Sequence, residues 1–253
     1  MRTVFISERI GPRPTFVFVH GFCQSSAYWA PTIDRLAGVG AHCLAPDLPG
    51  FAASAGQDGA FTMEAYADGL AGMLDARGIG AVTLVGGSMG GVVAQHFALR
   101  HPQLLRRLLL VATGAVTADP AAALAKADQL AGAAWDEAAV TPIVNGFFHR
   151  PPDAERLAEL RGIALSAAQS AAVEAARSNA RSRTFDRLGE IRVPTLIIQG
   201  RHDRARTPEH GAELRERIPG SRLEVIEDAG HTPQLEQAEA FHRIALPFLL
   251  DCA

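Results

Sequence analysis

The residues with chemistry to offer are a serine, a histidine and two carboxylates, each standing just after an apolar run. Ser88 ends Val82-Thr83-Leu84-Val85-Gly86-Gly87 and is followed by Met89-Gly90-Gly91 and an Ala/Leu-rich stretch at 92–99. A serine hydroxyl is a weak nucleophile at neutral pH and needs a base to take its proton, ordinarily a histidine oriented by a carboxylate. The chain supplies both in matching settings. Asp203 follows the run 193–200 in Arg201-His202-Asp203-Arg204, and His231 follows the run 223–226 in Asp228-Ala229-Gly230-His231-Thr232-Pro233. Asp228 is the alternative acid, whereas residues 113–118 contain no carboxylate that could serve. Gly86 and Gly90 give Ser88 the pattern G-x-S-x-G, in which small residues let strand and helix approach while the serine takes a strained conformation. A plain connection or a phosphate cradle is the competing reading of such a turn. The dinucleotide fingerprint G-x-G-x-x-G, however, needs glycine where Ser88 stands.

Other chemistries find little support. No H-E-x-x-H is present, and Cys23, Cys43 and Cys252 match no zinc or redox spacing, so neither metal nor cofactor is expected. The three dispersed cysteines fit a reduced, cytoplasmic protein. With a formal net charge of -3, the chain lacks the basic excess that nucleic acid or an anionic membrane demands, leaving a small-molecule substrate as the expected partner. Its N-terminal residues have no apolar core suited to a signal peptide, and no later run approaches a membrane span.

The elements that must position these groups read as alternating strands and helices. Strands are expected at 15–19, 42–45, 82–87 and 107–112, with helices near 29–37, at 63–76 after a Thr62 cap, and after Ser88. Such alternation implies an α/β fold with a parallel sheet. The loop 46–51 is turn-rich, with Asp47 expected to brace it. Residues 115–185 are Ala-rich, lack β-branched runs and contain only helical patterns, after which strands return at 193–200 and 223–226 and helices at 209–217 and 235–249. The expected organisation is a first core part at 1–114, a helical insertion at 115–185 and a second core part at 186–253. An insertion between two parallel strands can roof the crevice at their carboxyl ends, where open α/β sheets bind ligands. Phe147 and Phe148 are its candidates for lining an apolar pocket, with packing between helices as the alternative use. Arg181, like Arg177 and Arg183, is a candidate to meet a substrate carboxylate.

The ordered set Val19-His20-Gly21-Phe22, Asp47-Leu48-Pro49-Gly50-Phe51, Gly86-Gly87-Ser88-Met89-Gly90-Gly91, Gly200-Arg201-His202-Asp203 and Ala229-Gly230-His231-Thr232-Pro233 resembles the α/β-hydrolase superfamily over nearly the whole chain. The resemblance implies a mostly parallel sheet flanked by helices, with a helical lid inserted after the sixth strand. It implies Ser88 as nucleophile, His231 as base and then acid, Asp203 as the group holding the imidazole, and backbone N–H groups of Phe22 and Met89 as the oxyanion hole. It casts His20 as a brace of the oxyanion loop. Ala52 departs from the pattern, since relatives often carry glycine there.

Within that superfamily the leading expectation is a carboxylic ester or lactone hydrolase acting through an acyl-enzyme. Carbon–carbon bond hydrolysis of a vinylogous diketone is the second, because Gly87-Ser88-Met89-Gly90-Gly91 also resembles the meta-cleavage-product hydrolases. Those enzymes usually carry Trp after the histidine, where this chain has Thr232. A hydrolase-fold ligand receptor or a cofactor-free oxygenase is a third reading on the same scaffold.

Overall fold

A computed structural model describes residues 4–11 and 14–251. The first part of the chain contains β1 (Ile6–Arg9), β2 (Thr15–Val19), α1 (Ala30–Ala37), β3 (His42–Pro46), α2 (Met63–Ala76), β4 (Val82–Gly87), α3 (Met89–Arg100) and β5 (Leu105–Val111). Four helices follow: α4 (Pro120–Gly132), α5 (Glu137–Asn145), α6 (Ala154–Leu165) and α7 (Gln169–Arg181). The chain then returns to the sheet with β6 (Thr195–Gly200), α8 (Pro208–Arg217), β7 (Arg222–Ile226), α9 (Pro233–Glu236) and α10 (Ala238–Leu250).

The sheet order is β1-β3-β2-β4-β5-β6-β7, with β1 antiparallel to β3 and every other neighbour parallel. The central strands are buried on both faces, so successive residues feed two different cores. Phe16 and Phe18 of β2 pack with Trp29, Ile33, Phe241 and Phe248 on the side of α1 and α10. Val17 and Val19 point the other way, into the core of α2 and α3. Strict alternation of side chains along a strand explains this division, and burial on both faces explains why the strands read as unbroken apolar runs. Ser88, Asp203 and His231 follow β4, β6 and β7, three parallel strands, and therefore emerge from one edge of the sheet.

The Thr62 hydroxyl caps α2 by accepting from the Ala65 amide at 3.1 Å. Asp119, Asp136 and Asp153 cap α4, α5 and α6 in the same way, which marks helix starts in a segment otherwise poor in landmarks. Helix α4 packs on α7, and α5 on α6. The insertion follows the fifth strand rather than the sixth, because the described chain ahead of Thr15 contributes one strand, β1, to the sheet. Among the described residues no helix is long and apolar enough to cross a membrane.

Candidate active site

The turn after β4 is shaped by close backbone contact. A methyl group on Gly86 would lie 2.3 Å from the Gly90 carbonyl oxygen, and one on Gly90 2.4 Å from that of Val19. Neither position tolerates a side chain without moving backbone. Ser88 itself sits at φ 52°, ψ -119°, a conformation that L-residues rarely adopt and that costs about 1–3 kcal/mol. Its surroundings hold it there: the Ser88 amide donates to Val111 O at 2.9 Å, and its carbonyl accepts from Thr113 Oγ1 at 2.8 Å and Gly91 N at 2.9 Å. The strained turn aims the hydroxyl off the end of the sheet, half-buried rather than sealed.

There Ser88 Oγ lies 2.7 Å from His231 Nε2, and His231 Nδ1 lies 2.7 Å from Asp203 Oδ2. The imidazole is 4% exposed and the carboxylate 0%, so both work out of bulk water. An ionised carboxylate only accepts hydrogen bonds, so Nδ1 carries the proton and Nε2 is left to accept from the serine hydroxyl. The second oxygen of Asp203 accepts from the amides of Ala205 at 2.8 Å and Arg206 at 2.9 Å. Behind this loop lies the buried Arg206 guanidinium, which donates to Val116 O at 2.9 Å. Burial lowers its pKa, and the Asp203 charge opposes that shift. Sequence reasoning missed Arg206, although an arginine three residues beyond the acid was visible. Asp228 is elsewhere: it is exposed and 3.5 Å from Arg150.

The loop after β2 is fixed by two buried side chains. His20, fully buried, donates through Nδ1 to Gly21 O at 2.8 Å and accepts the Leu48 amide at Nε2 at 2.9 Å. Burial holds its pKa below the ordinary value, consistent with a neutral ring doing both jobs. Asp47 accepts from Ser26 N at 2.7 Å and Ala53 N at 3.1 Å, tying the same loop to the next turn. Gly21 approaches the serine so closely that a methyl on it would lie 3.1 Å from Ser88 Cβ. Neither the Phe22 nor the Met89 amide has a hydrogen-bond partner among the described residues. Met89 begins α3, where the first amides have no acceptor within the helix. Ala52, at the position of the departure from the family pattern, adopts φ 45°.

The insertion reaches the histidine directly. The Phe147 ring stacks on His231 with centroids 6.0 Å apart, meets Tyr28 edge-on at 6.2 Å, and is itself buried. Its carbonyl accepts from the His231 amide at 3.0 Å and from Thr232 Oγ1 at 3.2 Å. Phe148 is partly buried against the same core. The His149 ring stacks on His202, centroids 3.8 Å apart, beside the acid loop. Arg181 is not brought to the site. It is exposed, and the segment it opens is pinned to α3 by bonds from Ser182 and Thr184 to His96 and Gln95. Those residues are seven or eight positions along the helix from Ser88, about 11–12 Å at 1.5 Å per residue. Arg177 is occupied by Asp128 at 2.6 Å.

Known proteins match this arrangement over most of its length. The family described as the alpha/beta hydrolase fold matches residues 14–238. The chain is 31% identical to 2-hydroxy-6-oxo-2,4-heptadienoate hydrolase of Pseudomonas putida, over 95% of this chain and 90% of that one. It is 34% identical to pimeloyl-[acyl-carrier protein] methyl ester esterase of Neisseria meningitidis, over 75% of each. Among solved structures, the enol-lactonase of Burkholderia xenovorans superposes with a TM-score of 0.87 at 25% identity, covering 97% of this chain and 96% of the other. A strained serine after a buried parallel strand, a matching sheet and a family match spanning both halves of the core lead to one assignment: this chain belongs to the α/β-hydrolase family and is an enzyme of that type.

Proposed function

We propose that the protein hydrolyses a small-molecule carboxylic ester or lactone through Ser88, His231 and Asp203. The observation that carries this reading is the unbroken line from Ser88 Oγ through the imidazole to Asp203, with both separations 2.7 Å. In the first step Oγ attacks the substrate carbonyl while its proton passes to Nε2, and the positive ring is stabilised by Asp203. The negative carbonyl oxygen is held by the amides of Phe22 and Met89, whose donors are uncommitted. Losing one such donor typically costs about 2.7–4 kcal/mol of transition-state stabilisation. Nε2–H then protonates the departing alcohol, or the internal alkoxide of a lactone. Water then attacks the acyl carbonyl as it gives a proton to the same nitrogen, and Nε2–H returns that proton to Ser88 Oγ as the acyl–Oγ bond breaks and the acid leaves.

Residues 115–185 act as the substrate-selecting lid in this proposal, with Phe147 and Phe148 presenting apolar surface and the catalytic protons handled entirely by the sheet loops. Substrate choice belongs to such grafted surfaces more than to the fold. Carbon–carbon hydrolysis is the second reading, supported by the name of the 31% identical relative. Ester chemistry is preferred because Arg177 is paired with Asp128, while Arg181 and Arg183 are exposed on the stretch that Ser182 and Thr184 hold to α3, leaving none of the three to clamp a substrate carboxylate.

Steady-state kinetics on a panel of esters, lactones and vinylogous diketones tests the choice. The expected result is a kcat/KM at least tenfold higher for an ester or lactone than for any diketone. The reverse order would transfer the assignment to carbon–carbon bond cleavage.

A further inference from the structure

Glu236 stands five residues beyond His231 and belongs to no part of the proton path. Its carboxylate nevertheless collects amides from two separate segments. Oε1 accepts from Gly230 N at 2.9 Å and Thr232 N at 3.3 Å, the residues flanking His231. Oε2 accepts from His149 N at 2.6 Å and Arg150 N at 3.3 Å, both in the insertion. The amide between the two flanking ones, that of His231, goes to the Phe147 carbonyl at 3.0 Å. Three consecutive amides around the imidazole are thus held by Glu236 or by the insertion, and none by its own strand. Gly230 shows how tight the junction is, since a methyl there would lie 2.5 Å from His149 N.

From this sharing we infer that Glu236 is a positioning residue: its carboxylate clamps the insertion segment 147–150 to the His231 loop, so that the seating of the insertion and the placement of the imidazole form one mechanical unit. The inference rests on the reading of Ser88, His231 and Asp203 as the reacting triad. A carboxylate suits the task because both of its oxygens only accept, and everything it meets here, four amides and the Thr232 hydroxyl at 3.5 Å, is a donor. Its planar geometry fixes the two groups of amides relative to each other. A displacement of about 1 Å in a reacting group can cost on the order of 100-fold in rate, so slack in this clamp should be read as lost turnover.

The discriminating variant is Glu236→Gln, which keeps volume and polarity but turns one oxygen into a donor facing donors. Whichever way the amide lies, one segment loses its acceptor. Measured quantities are kcat, KM, the rate at which a fluorophosphonate labels Ser88, the melting temperature, and hydrogen exchange across 146–151 and 228–234. The expected result is a kcat and a labelling rate lowered about 10- to 100-fold with KM within about threefold, and faster exchange in both segments but not across the sheet. Unchanged kcat and labelling, or faster exchange spread evenly over the chain, would overturn the inference. If Glu236→Gln does not fold, Thr232→Val serves: it removes the hydroxyl's contacts to Phe147 O at 3.2 Å and to Glu236 Oε1 at 3.5 Å and leaves the Glu236 carboxylate in the chain. It is expected to lower kcat severalfold and speed exchange at 146–151, and no change in either would also overturn the inference. Wild-type labelling separates the two levels. Failure of wild type to label at Ser88 would defeat the hydrolase reading, whereas equal labelling of wild type and Glu236→Gln would defeat only the clamp.

Discussion

Asp203 meets the His231 ring at 2.7 Å while its other oxygen is filled by two amides of its own loop, so the carboxylate is fixed before any substrate arrives. Replacing it with Asn keeps the shape but allows a donor to face Nδ1, which favours the wrong tautomer and removes the charge that supports the imidazolium. A wrong-tautomer change of this kind costs about 10⁴ in kcat. Asp203→Asn is therefore expected to lower kcat by about that factor on an ester substrate. Asp228→Asn, at an exposed ion pair, should stay within about twofold of wild type. Kinetics of both variants on one ester check the assignment, and collapse of Asp228→Asn alone would reverse it.

The backbone strain at Ser88 predicts a trade between stability and activity. Relief of a φ of 52° by glycine recovers about 1–3 kcal/mol, against about 0.4–1 kcal/mol lost to the freer unfolded chain. Ser88→Gly should be more stable than Ser88→Ala by about 1 kcal/mol, both being inactive. Urea denaturation of the two variants measures the difference, and equal midpoints would mean that the turn is not strained.

His20 predicts a pH dependence. Its pKa is lowered by burial, below the ordinary 6.5, and protonation would place a donor at Nε2 against the Leu48 amide. The unfolded chain therefore binds a proton at higher pH than the folded one does. Stability supplied by His20 is complete above about 6.5 and is lost as pH falls through that value toward the lowered folded-state pKa. Melting temperature followed from pH 8 to pH 5 should fall more steeply in wild type than in His20→Asn. Parallel curves would contradict the neutral, doubly bonded ring.

The Tyr28 hydroxyl is buried with no hydrogen-bond partner among the described residues, beside Phe147. An unsatisfied buried polar group costs about 1–3 kcal/mol, so its removal carries no stability penalty. Tyr28→Phe should equal or exceed wild type in stability, by up to about 1 kcal/mol, in chemical denaturation. A loss of more than 1 kcal/mol would show that the hydroxyl has a partner after all.

Several of these residues were readable from their surroundings in the chain, and the reason is physical. A strand buried on both faces leaves an uninterrupted apolar run, and the loop at its carboxyl end begins where that run stops; Ser88, Asp203 and His231 all stand in such loops, after β4, β6 and β7. Helix α2 was legible to its ends, Met63 and Ala76, because Thr62 caps it and its apolar residues recur at helical spacing. Strand β1 was not, since Ile-Ser-Glu-Arg at the sheet edge is only half-buried and is defined by pairing with β3. Glu236 and the Phe147 carbonyl were also invisible: their roles lie in amides contributed by segments far apart in sequence, and backbone groups leave no mark on residue type. Arg181 looked suitable by charge, but its place is set by Ser182 and Thr184 binding α3, a tertiary fact that periodicity does not carry.

The most direct measurement is the site of covalent modification. Wild-type protein treated with a fluorophosphonate and digested for mass spectrometry should carry one adduct, on Ser88, with loss of esterase activity in proportion to labelling. Ser88→Ala should take up no label and show no turnover on the same substrate. An adduct on another serine, or full hydrolytic activity in Ser88→Ala, would contradict the account.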